Sequence, residues 1–454
     1  MLIGMNRRKT VRKASAIRVC TGVLLAGILA CTGGCGNVSS QETEQEPAVM
    51  ETRQEQALSE VEPAVAEVTT DEGNLDADDE DTAASVAGEN RDGASSQVTI
   101  CMVGDILLHT PIEDASRRDD GTYDYSHIFS ETTDLISDAD IALVNEEVII
   151  GGAELGVSGY PAFNASYEIG DALVDAGFDV VLHATNHVLD KGAKGLTNCY
   201  DYWENEHPEI EVLGIHDSPE DQAHISVLEV DGISIAFLNY TYGTNGIPVP
   251  SDMPYSVDLL EENRVIADLA AAEEMADFTI VCPHWGTEYR LTPDSYQQKW
   301  AKIFAENGAD LVIGTHPHVI EPIEWISADG SSSDAKAATG EMTKTVPGTL
   351  VYYSLGNYVN WTSGTGPGTA NRMVGGMAQV TLARDDDGDV VIDDYGVAAL
   401  VTDLREGRDG VTVYRLKDYT ADQADENAIR SQDPFFSYEY CVSLCNDVWG
   451  DLWE

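Results

Sequence analysis

Six short β-rich runs in this chain pass directly into Asp, Glu, Asn or His, and no other feature of the sequence constrains the fold as much. The candidate strands are Val98–Val103, Ile141–Val144, Val180–His183, Phe278–Cys282, Leu311–Ile313 and Leu350–Tyr353, with a further one at Ile233–Asn239. They run into Gly104-Asp105-Ile106-Leu107-Leu108-His109, Asn145-Glu146-Glu147, Ala184-Thr185-Asn186-His187-Val188-Leu189-Asp190, Pro283-His284-Trp285-Gly286, Gly314-Thr315-His316-Pro317-His318 and Ser354-Leu355-Gly356-Asn357. Amphipathic helical stretches separate these runs from Val98 to about Tyr419, the pattern of an α/β domain. Open α/β sheets place their sites at the carboxyl edge of the strands, where this chain delivers its chemistry-bearing side chains.

Of ten histidines, His109, His187, His284, His316 and His318 fall in these motifs, and His183 lies on an adjoining strand. Imidazoles interleaved with Asp105, Glu147 and Asn186 make a mixed nitrogen/oxygen set, which favours one or two hard-to-borderline divalent ions (Mn, Zn, Fe or Mg) over structural zinc. The spacing of His316 and His318 predicts an extended segment with both side chains on one side. Asn186 can offer its carbonyl oxygen to a metal while His187 beside it faces substrate. His109 suits either the site or the cap of a following helix.

Taken in order, these motifs resemble the CapA family, associated with poly-γ-glutamate capsule biosynthesis, over roughly Val98 to Trp361. That family resembles the calcineurin-like metallophosphoesterases, so the resemblance implies a four-layer α/β sandwich, two mixed sheets between helices. It implies Asp105 and Asn186 as metal ligands, His284, His316 and His318 as the late histidine ligands, and Glu147 as the acidic residue of the Asn-x-Glu segment. His187 becomes the residue that contacts or protonates a leaving group, and Asp190 and His109 join it as catalytic candidates. Glu146 stands where the family commonly has an apolar residue and Glu321 where glutamine often follows His-x-His; both are expected to add negative charge near the site. No Asp-x-His pair opens the first motif. Tyr160-Pro161-Ala162-Phe163-Asn164 resembles a family loop and reads as a substrate rim.

Lys and Arg number 25 against 80 Asp and Glu, a net charge of −55. Such a surface repels nucleic acid and anionic headgroups, so no nucleic-acid partner is expected and membrane contact must be hydrophobic. Residues 1–35 supply it: a basic stretch, the apolar run Val19–Ala30, and then Cys31 and Cys35 among small residues read as a bacterial lipoprotein signal. Cys35 is the preferred lipidation site and Cys31 the alternative. Residues 36–97, acidic and almost without aromatic side chains, read as a disordered tether. This places residues 98–420 outside the cell membrane as a lipid-anchored domain, with 421–454 an aromatic tail docked on it. Cys101 and Cys282 read as packing residues and Cys441/Cys445 as small core residues. Asp385–Asp389 reads as an acidic hairpin turn and Gly364–Gly368 as a loop near the site. The leading expectation is a surface protein of polyglutamate capsule assembly or export, with synthase or export subunits or the polymer as partners. A general metallophosphatase or nucleotidase, and a non-catalytic polymer-binding scaffold, are the alternatives.

Overall fold

The computed structural model describes residues 97–454 apart from 328, 329, 336–347 and 406–409, together with the two-residue strand Arg12–Lys13. The lipidation candidates Cys31 and Cys35 and the tether lie outside the described residues. One mixed sheet runs in the order β1 (Arg12–Lys13), β6 (Ser226–Val230), β7 (Ile233–Thr241), β8 (Phe278–His284), β9 (Leu311–Ile313), β12 (Thr349–Tyr352), β10 (Ile323–Ile326), β11 (Ser332–Asp334). The second runs β16 (Val411–Arg415), β15 (Val390–Leu404), β14 (Val374–Arg384), β2 (Gln97–Ile106), β3 (Ile141–Glu146), β4 (Val180–Leu182), β5 (Glu211–Leu213), with β13 (Asn357–Val359) also pairing to β2.

The two-residue period of the strands builds the layers. On β8, Phe278, Ile280 and Cys282 face the large core shared by both sheets, while Val281 belongs to a smaller core with the helices Glu262–Met275 and Ser295–Glu306. Strands β7, β9 and β12 divide in the same way, with Phe237, Ile313 and Tyr352 on one side and Leu238, Val312 and Val351 on the other. Cys282 Sγ lies 3.8 Å from Met102 of β2, so the sheets meet face to face. Cys101, the next residue along β2, turns to the opposite side, where it shares a cavity wall with Leu135 of the helix Thr133–Ser137. The result is the expected four-layer arrangement of helices, sheet, sheet and helices.

The central strands are parallel to their neighbours, β2–β3–β4–β5 in one sheet and β7–β8–β9–β12 in the other, and therefore share a carboxyl edge. Burial on both faces explains their nearly unbroken apolar runs. Near that edge Asn239 ties the layers together: its Oδ1 accepts from the Ala184 N–H (2.8 Å) and its Nδ2 donates to the Cys282 carbonyl (2.8 Å).

The hairpin β14–β15 closes at Asp385, whose Oδ1 accepts from the amides of Asp387 (2.9 Å) and Asp389 (3.0 Å), the acidic turn read from the sequence. Cys101, Cys199, Cys282, Cys441 and Cys445 are buried free thiols. The tail helix Tyr438–Trp449 is docked through the buried Trp449, whose indole N–H donates to the Glu321 carbonyl (3.0 Å). Among the described residues, no helix is long and apolar enough to cross a membrane.

Candidate metal centre

Asp105 closes β2, Glu147 follows β3, Asn186 and His187 follow β4, His284 ends β8, and His316 and His318 follow β9. All are buried, and the carboxyl edges of the two sheets bring them together. Gly104 makes the first of these placements. A Cβ there would lie 1.9 Å from the Gly356 carbonyl oxygen, which instead accepts from the Asp105 N–H at 3.0 Å. Only a residue without a side chain lets the Leu355-Gly356-Asn357 turn approach β2 so closely.

Two groups of ligand atoms, each lying within 4.8 Å of one another, emerge: Glu147 with His284 and His316, and Asp105 with Glu147 and His318. Glu147 is common to both. His318 Nδ1 sits between Asp105 Oδ2 (3.1 Å) and Asn357 Oδ1 (3.0 Å), so it carries a ring proton, and Nε2, 3.7 Å from Glu147 Oε1, is the nitrogen whose proton a cation would replace. Asn357 cannot turn its amide the other way, because its Nδ2 donates to the His318 and Arg372 carbonyls, each at 3.0 Å. His284 Nε2 stands 3.6 Å from the same Glu147 Oε1 and 2.8 Å from Asn186 Oδ1. Neither carboxylate oxygen of Glu147 has a hydrogen-bond partner, and neither has His316 Nδ1. Orphaned buried polar atoms are costly, by about 1–3 kcal/mol each and more for charged ones. Cations at the two positions, held at about 2.0–2.2 Å from nitrogen and oxygen, would satisfy them together, and the donor set fits a divalent ion.

The electrostatics agree with that fit. Burial and the charge of Glu147 both raise the Asp105 pKa. Burial would raise Glu147 as well, but His318 and His284 hold its carboxyl below the usual range. Burial opposes charge on His318, yet Glu147 and Asp105 push its pKa up to about 10. Burial, with His284 and His318 beside it, drives His316 well below the ordinary histidine value. Protons thus balance the carboxylates where cations can.

Three expectations need correction. His316 and His318 do not reach the site along an extended segment, since their φ angles are +98° and +57°. Two left-handed kinks aim both rings inward, at a steric cost non-glycine residues seldom bear. Glu146 and Glu321 do not charge the site. Glu146 is adjacent to Glu147 on the chain and so faces the other side of the sheet, where burial and then Glu113 raise its pKa far above the carboxylate range. Glu321 turns to Gln297, whose Nε2 donates to it (2.5 Å), and burial lifts it to about 8. His109 is the residue before the helix Thr110–Ser116 but makes no side-chain cap. Its ring packs edge-on against Phe163 (5.2 Å) and Trp361 (5.9 Å), and burial first, then His318, lowers its pKa to about 4.

His187 stands beside the ligand groups with its Nδ1 2.7 Å from Asp190 Oδ2, which also accepts from the Phe163 amide (2.7 Å). Sequence reading missed several supporting residues: Asn245, whose Oδ1 accepts from Asn186 (3.2 Å); Tyr242, whose ring lies 4.6 Å from that of His316; and Arg372. Asn145, quoted only as part of a motif, donates to Asp105 Oδ1 (2.9 Å).

The family model described as bacterial capsule synthesis protein PGA_cap matches residues 99–362, a stretch that contains every residue of the centre. The chain is 30% identical over 195 residues to the PGA biosynthesis protein CapA of Bacillus subtilis, covering 42% of this chain and 45% of that one. It is 25% identical over 280 residues to the capsule biosynthesis protein CapA of Bacillus anthracis, covering 59% and 62%. The chain thus spans about half the length of the curated relatives it matches. Among solved structures it is similar to a hypothetical protein of Thermus thermophilus (17% identity, 66% of this chain and 99% of that one, TM-score 0.36). It is also similar to an NAD nucleotidase of Haemophilus influenzae (12% identity, 80% and 64%, TM-score 0.39).

Proposed function

The chain belongs to the bacterial capsule synthesis protein family PGA_cap, and from that membership we propose that it is a metal-dependent protein of poly-γ-glutamate capsule biosynthesis or export. The observation that carries the metal half of this reading is Glu147, a buried carboxylate with no hydrogen-bond partner, shared by two sets of ligand atoms. Asp105 and His318 would complete one position, and His284 and His316, with the Asn186 carbonyl oxygen, the other. A divalent ion bound there supplies Lewis-acid polarisation and a pKa near 7 for water.

The chain's own residues supply the rest of a hydrolytic step. Asp190 engages His187 Nδ1, which fixes the ring and leaves Nε2 as the atom that meets a leaving group. Asn357 and Thr315, the latter 3.0 Å from His284 Nδ1, hold the ligand rings in orientation. Purified full-length chain is expected to take up manganese, zinc, iron or magnesium with a stoichiometry of one or two, measured by elemental analysis and by a rise in melting temperature. His316→Ala should lose metal and activity together. Absence of stoichiometric binding with all four metals would remove this reading.

Anchoring belongs to the same proposal. A diacylated Cys35, with Cys31 as the alternative, would hold the protein on the outer face of the cell membrane within reach of synthase or export subunits and the polymer. Cys35→Ala should release it from the membrane fraction; unchanged fractionation of both Cys35→Ala and Cys31→Ala would overturn the anchor.

A further inference from the structure

A cavity of about 530 Å³ opens beside the centre and shares His318 with it. Its wall includes His109, Tyr160, Tyr289, Trp361 and Arg372, and the loop at Thr362–Gly364. The volume is that of a ligand pocket. Its charge sets it apart: in a chain with 80 acidic residues, the lining holds no Asp or Glu and a single guanidinium, Arg372.

Arg372 is held in place from several sides. Its guanidinium carbon lies 3.5 Å from the centroid of the Tyr289 ring, and its Nη1 donates to Thr362 Oγ1 (2.8 Å). Its carbonyl accepts from Asn357, the residue that fixes the His318 ring, and the Tyr289 amide donates to the Pro317 carbonyl (2.7 Å) between the two histidine ligands. The backbone that presents the guanidinium is therefore braced against the ligand loop itself. Two buried polar atoms in this wall, Arg372 Nε and Asn360 Oδ1, have no protein partner. A guanidinium stacked on an aromatic face and braced in this way is pre-organised for a planar, two-oxygen anion.

We propose that this cavity is a substrate subsite in which Arg372 binds a carboxylate of a chain whose neighbouring group lies at the metal centre. The assignment rests on the capsule-polymer reading above and names the recognition element within it. One guanidinium between aromatic walls matches the single charge of a carboxylate; a phosphate dianion would leave a second negative charge facing Tyr289 and Trp361 without a cation. Tyr160, 73% exposed, stands at the rim where an extended chain would leave.

The test is calorimetric binding of a γ-linked glutamate pentamer, of its carboxamide analogue and of inorganic phosphate to the metal-loaded full-length chain and its Arg372→Gln variant. Metal content is read on the same samples. The pentamer should bind the wild type at least about ten-fold more tightly than Arg372→Gln, the scale of a charge-assisted pair, with metal stoichiometry unchanged. The carboxamide analogue should bind both proteins equally weakly. Thr362→Val, which removes one partner of the guanidinium without touching its charge, should weaken the pentamer by about three-fold and serves if Arg372→Gln does not fold. Equal pentamer affinity for wild type and both variants, or an analogue that binds as well as the pentamer, would overturn the subsite while leaving the metal reading intact. Phosphate binding that exceeds the pentamer and disappears in Arg372→Gln would overturn the carboxylate assignment. Loss of metal from the wild type is a failure of the centre and is read separately.

Discussion

His216 and His318 each stand between two carboxylates, and both are pushed toward the protonated state, yet their surroundings differ in one respect. His216 Nδ1 meets Asp221 at 3.3 Å and Nε2 meets Asp258 at 2.7 Å, and the second oxygen of Asp258 accepts from Gln222 (2.9 Å). Burial opposes charge on His216, but its bonds to Asp221 and Asp258 carry its pKa up to about 9. His318 likewise has two carboxylate neighbours, Asp105 and Glu147, but Glu147 is too far for a hydrogen bond and both its oxygens are orphaned. A histidine between carboxylates whose polar atoms are paired is a clamp joining two segments of chain. The same trio with a gap in its centre is a ligand set, and the gap, not the residue types, carries the information.

The largest effect that would break this comparison is at Glu147. Glu147→Gln keeps the shape and removes the shared charge, so it should lower metal affinity by more than about 100-fold, beyond what loss of a merely supporting group costs. In metal-free protein the same change takes away the carboxylate that balances His318 and His284 and should lower the melting temperature, whereas added metal should raise the melting temperature of wild type but not of the variant. Asp258→Asn should lower the melting temperature as well. An equal response to added metal in wild type and Glu147→Gln would mean that the centre is a clamp like the other.

His187 is the intermediate case, paired to Asp190 on one nitrogen only. His187→Ala should leave metal content and melting temperature close to wild type while lowering any hydrolytic rate by about 10²–10⁴-fold, the range for a lost general acid. Wild-type turnover, or a fall in metal content equal to that of His316→Ala, would move His187 into the ligand group.

The smallest effect is the pH response of the clamp. Its folded pKa of about 9 lies above the unfolded value of about 6.5, so its contribution is complete below pH 6.5 and is lost as pH rises through 9. Partly exposed as it is, His216 should account for on the order of 1–2 kcal/mol. Melting temperatures of wild type and His216→Asn, compared from pH 6 to 10, should converge at the alkaline end; a constant gap would show that packing, not charge, holds the segment.

Much of the centre was legible because parallel strands buried on both faces leave long apolar runs, and polar residues at their ends stand out. Asp105, Glu147, Asn186, His284, His316 and His318 were all visible in this way. The two-residue period could have separated Glu147 from Glu146, since consecutive strand residues face opposite sides, but the reading placed both at the site. The left-handed backbone of His316 and His318 had no signal, because nothing in Gly-Thr-His-Pro-His distinguishes a kink from an extended run. Arg372 escaped for a different reason. It lies on a short turn, Thr369–Met373, before β14, and reaches the pocket only because β14 pairs antiparallel with β2 and carries that turn back to the strand end. The hairpin β14–β15 was itself noticed only at its acidic turn.

The φ of +98° at His316 bears on stability as well as on the site. A side chain held there costs on the order of 1–3 kcal/mol, which a glycine would return to the fold. That return is set against the loss of a buried ring packed on Tyr242 and His284, so the strain at this position is carried for the centre and not for the fold. Position 316 thus sets the two demands against each other: the backbone there favours glycine, and only the centre asks for the ring.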